Sequence, residues 1–186
     1  MFYTKEELEK IGFKSIGENV LISDKTSIYN PQNISIGDNV RIDDFVILSP
    51  SNELVIGNYV HIACFTSIIG KGKVIINDFV GISGRVSIYS SSDDYTGLGM
   101  TNPMVPEKYR KVNNGDIVFG KHVIVGSGSV ILPNVVLGEG CAIGALTLIY
   151  KNCEEFSIYS GSPGKKIGKR LKKFLNYEKN IIWYYN

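Results

Sequence analysis

Tryptophan occurs once in the 186 residues, histidine twice, and methionine and cysteine three times each. An odd cysteine count (Cys64, Cys141, Cys153) with no CxxC pair argues against a disulfide scaffold and a cysteine zinc site, and makes a reducing cytoplasm the default compartment. Two histidines, His61 and His122, also leave little for a histidine-based metal centre. Neither sign of charge dominates: 20 Lys+Arg face 18 Asp+Glu, a net +2, so no global field draws the chain to nucleic acid. No apolar run is long enough to span a bilayer. The opening Met1-Phe-Tyr-Thr-Lys-Glu-Glu7 lacks the apolar core of a signal peptide.

What the sequence has in abundance is self-similarity, which is best sought before any local structure. Ile16-Gly-Glu-Asn-Val20, Ile36-Gly-Asp-Asn-Val40, Ile56-Gly-Asn-Tyr-Val60 and Ile76-Asn-Asp-Phe-Val80 start 20 residues apart, and Phe119-Gly-Lys-His-Val123 and Leu137-Gly-Glu-Gly-Cys141 resume the pattern at a spacing of 18. Within each unit an aliphatic residue recurs every six positions, as in Ile36, Ile42 and Leu48 or Val125, Ile131 and Leu137. A period of six fits neither a 3.6-residue helix nor a simple alternating strand. It fits a short strand and a tight turn, three times per coil, with the aliphatic side chain inward and Gly, Asn or Asp at the corners. Stacked coils then bury one continuous column. Six coils at about 4.8 Å each make a prism roughly 30 Å long.

One interval breaks the rule. Phe119 follows Ile76 by 43 residues where 18 would complete a coil, so 25 must leave the prism as a loop over 89–116. The loop holds Pro103 and Pro106, adjacent Asp93 and Asp94, Tyr95 and Tyr109; loops this long in compact domains are usually functional or disordered, and this composition favours an ordered binding loop. The ends differ in kind. Thr4 and Glu7 form a capping box ahead of a helix over Lys5–Ile11. Near the other end, Ser162 can cap and Pro163 suits the first position of a helix, while Lys165 to Lys173 carries six cations and no anion. The chain divides into a cap (1–15), a β-solenoid (16–160) and a basic helical tail (161–186).

This hexapeptide pattern resembles the left-handed parallel β-helix of the hexapeptide acyltransferases over nearly the whole chain. Gly161-Ser-Pro-Gly-Lys-Lys-Ile167 is similar to the G-x-P-A-K-x-I closing signature of sugar and xenobiotic acetyltransferases. Phe119–Val135 resembles their penultimate coil, and Ile143-Gly-Ala-Leu-Thr-Leu-Ile-Tyr-Lys151 their I-G-A-x-S-x-V-T-K. The resemblance implies an all-β fold of left-handed sense, which generic crossover rules would not supply, and a homotrimer with sites between subunits. It implies acetyl-CoA as co-substrate and no metal. Ser127, Ala145 and Lys151 match coenzyme contacts, Gly126 and Gly144 allow its close approach, and Lys165 and Arg170 match cations near its phosphates, which compact positive groups hold well.

The galactoside, maltose and streptogramin branches carry a catalytic histidine soon after the strand ending at Ile88-Tyr89; here that position is Asp93, and the loop contains no histidine. A hydroxyl acceptor must lose its proton as it attacks and wants a base of suitable pKa, whereas a neutral amine already has its lone pair. Ser-Ser-Asp93-Asp94-Tyr95 and Thr101-Asn-Pro-Met-Val-Pro106 look more like the short nucleotide-linked amino-sugar N-acetyltransferases of surface-glycan (lipopolysaccharide) biosynthesis. The expected reaction is direct N-acetylation, with Asp93 orienting the amine and taking its proton, Asp94 and Tyr95 on the substrate, and backbone N–H groups stabilising the oxyanion. O-acetylation with His122 as base is the alternative, and an inert solenoid is the non-enzymatic one. The three-histidine carbonic anhydrases of this fold are excluded by the histidine count. His61 is expected at a corner, facing solvent or a neighbouring subunit.

Overall fold

A computed structural model describes residues 1–184. The chain winds a three-sided prism of parallel sheets. The first side stacks Ser15–Ile16, Ile34–Ile36, Leu54–Ile56, Val74–Ile76, Ile117–Phe119 and Val135–Leu137. The second begins at Leu21–Ile22 and ends at Ser157–Ser160 with Lys165–Lys169 beyond it, and the third runs from Ser27–Ile28 to Leu148–Ile149. Registers step by one coil: Ile36 pairs with Ile56, Ile42 with Ile62, and Leu48 with Ile68.

The aliphatic column lies inside as the six-residue period requires, Ile42, Ile62, Ile82 and Ile88 being fully or almost fully buried. A second inward residue precedes each by two positions, as in Val40–Ile42 and Val46–Leu48, because side chains two apart on a strand share a face. At the first corner Asp38 Oδ1 accepts the Glu18 amide at 2.7 Å and Asn58 Oδ1 the Asp38 amide at 2.8 Å, so each turn is capped by the rung above. That explains Gly37, where a Cβ would run into the Asn58 side chain and the Gly57 backbone. The residue that follows at this corner is left-handed at Asn39, Tyr59, Phe79 and His122. Their side chains stack from coil to coil: Tyr59 on Phe79 at 4.9 Å and Phe79 on His122 at 4.9 Å.

Thr4 caps the Lys5–Ile11 helix through the full reciprocal box with Glu7, and Gly12 closes it in the left-handed conformation. The basic segment departs from expectation. Gly161–Gly164 is a tight turn and Lys165–Lys169 is a strand, antiparallel to Ser157–Ser160; a helix, Leu175–Tyr184, begins only later. The Ser-Pro pair reads locally as a helix start, but the last parallel strand would leave an open edge, and an added strand satisfies it. Beyond it, Phe174 lies 5.1 Å from the His122 ring and 6.5 Å from Phe156, filling the rung that Gly140 leaves without a side chain.

Candidate active site

The loop leaves at the third corner. Ser91–Asp93 turns back against Val112–Asn114 as an antiparallel hairpin with Asp93 opposite Val112. Its base is pinned to the solenoid. The Lys71 amide donates to Ser91 Oγ at 2.7 Å, Ser91 Oγ donates to Asn114 Oδ1 at 2.6 Å, and the Lys73 amide donates to Asp116 Oδ1 at 2.8 Å.

The two adjacent aspartates differ in their hydrogen-bond partners. Asp94 accepts from the Thr96 hydroxyl (2.6 Å) and the Thr96, Leu98 and Gly99 amides (3.1, 2.7 and 3.1 Å), so both oxygens are engaged in making a turn. The Thr96 hydroxyl, with those amides, holds its pKa down at about 2. The Asp93 carboxylate accepts only the Asn102 amide, at 3.3 Å on Oδ2, and Oδ1 takes no hydrogen bond among the described residues. Asp93 borders a cleft on either side of the hairpin, of about 400 and 430 Å³. Tyr95, in the second cleft, is 94% exposed.

A furrow runs along the second corner, between the second and third sides. Outward positions there are small from the third coil on: Ala63, Ser83, Gly126 and Gly144, beside Cys64, Gly84, Ser127 and Ala145. A Cβ at Gly126 would meet the backbone of Gly144 and Ala145, so coil stacking alone demands that glycine. Buried hydroxyls brace the furrow from beneath, Thr66 Oγ1 donating to the Ser83 carbonyl at 3.1 Å and Ser129 Oγ to that of Gly144 at 2.9 Å. Ser127 and Ala145 are exposed. Between His61, Gly81, Ser83, Gly84 and Ile124 the surface opens into a hollow of about 300 Å³. Lys165, exposed and paired with Ser160, sits past the last coil at the same edge of the sheet. Lys151 is exposed at the third corner, its ammonium 5.3 Å from the Tyr150 ring.

Arg170 and His122 lie at the first corner instead. One Arg170 guanidinium nitrogen donates to the His122 and Gly140 carbonyls at 2.7 and 3.2 Å, and the group covers the Phe174 ring at 4.3 Å. Burial lowers its pKa from the ordinary value. The His122 side chain is 8% exposed, sandwiched by Phe79 and Phe174, with Nε2 3.0 Å from Glu178. Within one chain, neither approaches the Asp93 clefts. His61 begins a strand rather than sitting at a corner, because the outward slot after Val60 belongs to the second side; it points out, Nε2 2.8 Å from Asp43. Cys141 and Cys153 are inward wall residues, and the Cys153 thiol together with burial pushes Cys141 far above an ordinary thiol. An inert thiol of this kind is no nucleophile. No cluster of three or more His, Cys, Asp or Glu side chains stands ready for a metal among the described residues.

Sequence reasoning passed over Ser83 and Gly84, although the switch from Asp43-Asp44 to small residues along the corner marks the furrow. It also passed over Lys71 and Arg110 beside Asp93, for which the sequence carries no signal.

A family model described as bacterial transferase hexapeptide (six repeats) matches residues 116–151. The chain is 53% identical to a dTDP-4-amino-4,6-dideoxy-D-glucose acyltransferase of Escherichia coli over 180 residues, 96% of this chain and 94% of that one. Its structure matches that of AntD, an N-acyltransferase from Bacillus cereus in complex with dTDP and 3-hydroxybutyryl-CoA, with a TM-score of 0.96 and 46% identity over 100% of this chain and 98% of the other. A hexapeptide-repeat acetyltransferase from Vibrio cholerae, solved with acetyl coenzyme A, shares the fold at 14% identity, with a TM-score of 0.65 over 90% and 77% of the two chains.

Proposed function

The chain belongs to the hexapeptide-repeat acyltransferases, and from that premise we propose that it moves an acetyl group from acetyl-CoA to the amine of a nucleotide-linked deoxyamino sugar. The observation that carries this reading is Asp93: a loop carboxylate with one oxygen uncommitted, bordering two clefts, where a hydroxyl-directed relative would place an imidazole. The neutral amine attacks the thioester carbonyl carbon, the carbon–sulfur bond breaks, and the thiolate leaves. Asp93 holds the amine in line and accepts the proton that nitrogen sheds. No acyl-enzyme is needed, because the amine is itself the nucleophile; Cys141 and Cys153 lie in the wall, and Cys64 beside the furrow has no histidine hydrogen-bonded to it among the described residues. Asp94 supports the loop through its four accepted hydrogen bonds, and Tyr95 meets the substrate.

The furrow suits a thin, flexible arm lying against backbone. Gly126, Ser127, Gly144 and Ala145 would border the pantetheine chain of acetyl-CoA, and Lys165 would meet its phosphates; Lys151, at the third corner with Asp93, would touch the arm from a neighbouring subunit. The furrow is at the second corner and Asp93 at the third, so one chain does not bring them together. We propose a homotrimer in which the loop of one subunit closes on the furrow of the next. Three free thiols suit a reducing cytoplasm, where acetylated sugar donors for surface glycans would be made.

The test offers purified protein acetyl-CoA with dTDP-4-amino-4,6-dideoxyglucose or its 4-hydroxyl counterpart, and follows release of the CoA thiol. Turnover with the amine and little with the hydroxyl is expected. A preference for the hydroxyl sugar refutes the amine assignment, and absence of thiol release with every nucleotide-linked amino sugar refutes the reading as a whole.

A further inference from the structure

On one side of the loop hairpin, the cleft of about 400 Å³ is bordered by Lys71, Ser91, Asp93, Glu107 and Arg110, a size ordinary for a small-molecule site. Arg110 is half-buried, and its Nε is shut off from solvent without a hydrogen-bond partner. Its guanidinium makes no ion pair, hydrogen bond or ring contact among the described residues. A buried cationic N–H left unpaired is costly, and native structures supply such groups with a partner. Lys71 is the neighbouring cation. Its ammonium reaches Glu107 only at 3.5 Å, and that carboxylate is 81% exposed, so the pair is loose and easily exchanged.

The cleft therefore brings together the Asp93 carboxylate, two weakly committed cations and Glu107, which is loosely held by one of them. A complementary ligand carries an amine and, a short rigid distance away, a dense anion. In a nucleotide-linked 4-amino sugar the amine and the diphosphate stand across one pyranose ring. We propose that Arg110, seconded by Lys71, binds the diphosphate of the nucleotide sugar while Asp93 holds its amine. The planar guanidinium fork matches oxygens on adjacent phosphoryl groups, and the ligand's oxygens would satisfy the stranded Nε. Glu107 gives up Lys71 when the diphosphate enters. This assignment rests on the amino-sugar reading above and adds to it the residues that recognise the nucleotide.

Coenzyme A also carries a diphosphate, so the measurement separates the two sources. Thymidine diphosphate and CoA are titrated separately, by calorimetry, into the wild-type protein and the Arg110→Met and Lys71→Met variants. Each substitution is expected to weaken thymidine diphosphate binding about tenfold or more, the usual worth of a hydrogen bond to a charged group, and to leave CoA binding unchanged. Arg110→Lys keeps the charge without the fork and is expected to fall between. Glu107→Gln removes the competing carboxylate and should tighten the nucleotide. Lys71 is exposed, so its variant reports on the cleft even where Arg110→Met disturbs folding. Wild-type nucleotide affinity in both Met variants overturns the assignment, as does a loss confined to CoA. So does dissociation of the oligomer by Arg110→Met while Lys71→Met binds normally, because Arg110 would then serve a subunit contact. Arg110-dependent nucleotide binding without acylation of any amino sugar leaves this inference standing and removes the reaction; normal acylation with insensitive nucleotide binding does the reverse.

Discussion

Arg170 tests the structure against the sequence, since its place in a basic cluster suggests a phosphate ligand while the fold gives it another task. In the structure it donates to two backbone carbonyls, His122 and Gly140, and lies over Phe174, tying the tail to the first corner. Charge-assisted hydrogen bonds contribute about 1.5 to 3 kcal/mol each when buried and less when half-exposed, and a cation–π contact adds about 0.5 to 1 kcal/mol. Arg170→Ala should therefore cost about 2 to 4 kcal/mol. For a chain of this size 1 kcal/mol moves Tm by about 2 to 4 °C, giving a fall of about 4 to 16 °C. Arg170→Lys keeps the charge but cannot reproduce the planar stack, and should recover part of the loss. The assay is thermal unfolding at one fixed protomer concentration, because assembly makes Tm depend on concentration, paired with the KM for acetyl-CoA. An unchanged Tm with a raised KM would refute the anchor and restore the phosphate role.

Asp93→Asn keeps the shape and removes the charge; it should lower kcat/KM by about ten- to a thousand-fold, read by thiol release, and wild-type turnover would discard Asp93 as the amine's partner. Lys165→Ala should raise the KM for acetyl-CoA more than it changes kcat, phosphates being remote from the reacting carbonyl, and the effect should vanish with a phosphate-free acetyl thioester. Asp94, held at about 2 by Thr96 and nearby amides against an ordinary value of 3.8, supports the loop above pH 4 and loses that support as the pH falls from 4 to 2. Glu53, held at about 2 by Lys14 and Lys73, acts in the same sense. Protection of the Leu98 and Gly99 amides from hydrogen exchange, taken relative to the intrinsic rate at each pH, should fall in that window, and unchanged protection would contradict the turn's dependence on charge. Sedimentation of a fully active monomer of about 20 kDa would refute the trimer.

The solenoid was legible because its information is local and repeated. A hexad places one aliphatic side chain inward whatever lies far away in sequence, and a run of six coils leaves little room for another arrangement. The second inward position was harder to see, because it admits Val, Leu, Thr, Ser and Cys alike: Val46, Thr66 and Ser129 occupy equivalent places. Where the fold depended on a neighbour rather than a period, the sequence misled. Ser162-Pro163 carries a genuine helix-start signal, yet the segment after it is a strand, since the open edge at Ser157–Ser160 outweighs local preference. The same holds for His122, whose flanking motif says only that it occupies a corner. Phe79 beneath it and Phe174 arriving from 52 residues later make that corner a sealed stack.

The sequence offered candidate residues for a site but not how the fold groups them. Asp93 and Asp94 are indistinguishable in a Ser-Ser-Asp-Asp-Tyr string; they separate only because the chain after them turns its amides toward Asp94, leaving an oxygen of Asp93 uncommitted. A coil of three sides sends residues spaced six apart to different corners, so motif spacing that looks continuous in sequence is scattered in space. Ser127 and Ala145 fall at the second corner, Asp93 and Lys151 at the third, and His122 with Arg170 at the first. A rigid prism cannot fold those corners onto one another. If Asp93 and the furrow serve one reaction, as the reading of this chain requires, the missing half of each site must come from another copy, and the loop that breaks the repeat is the part long enough to reach it.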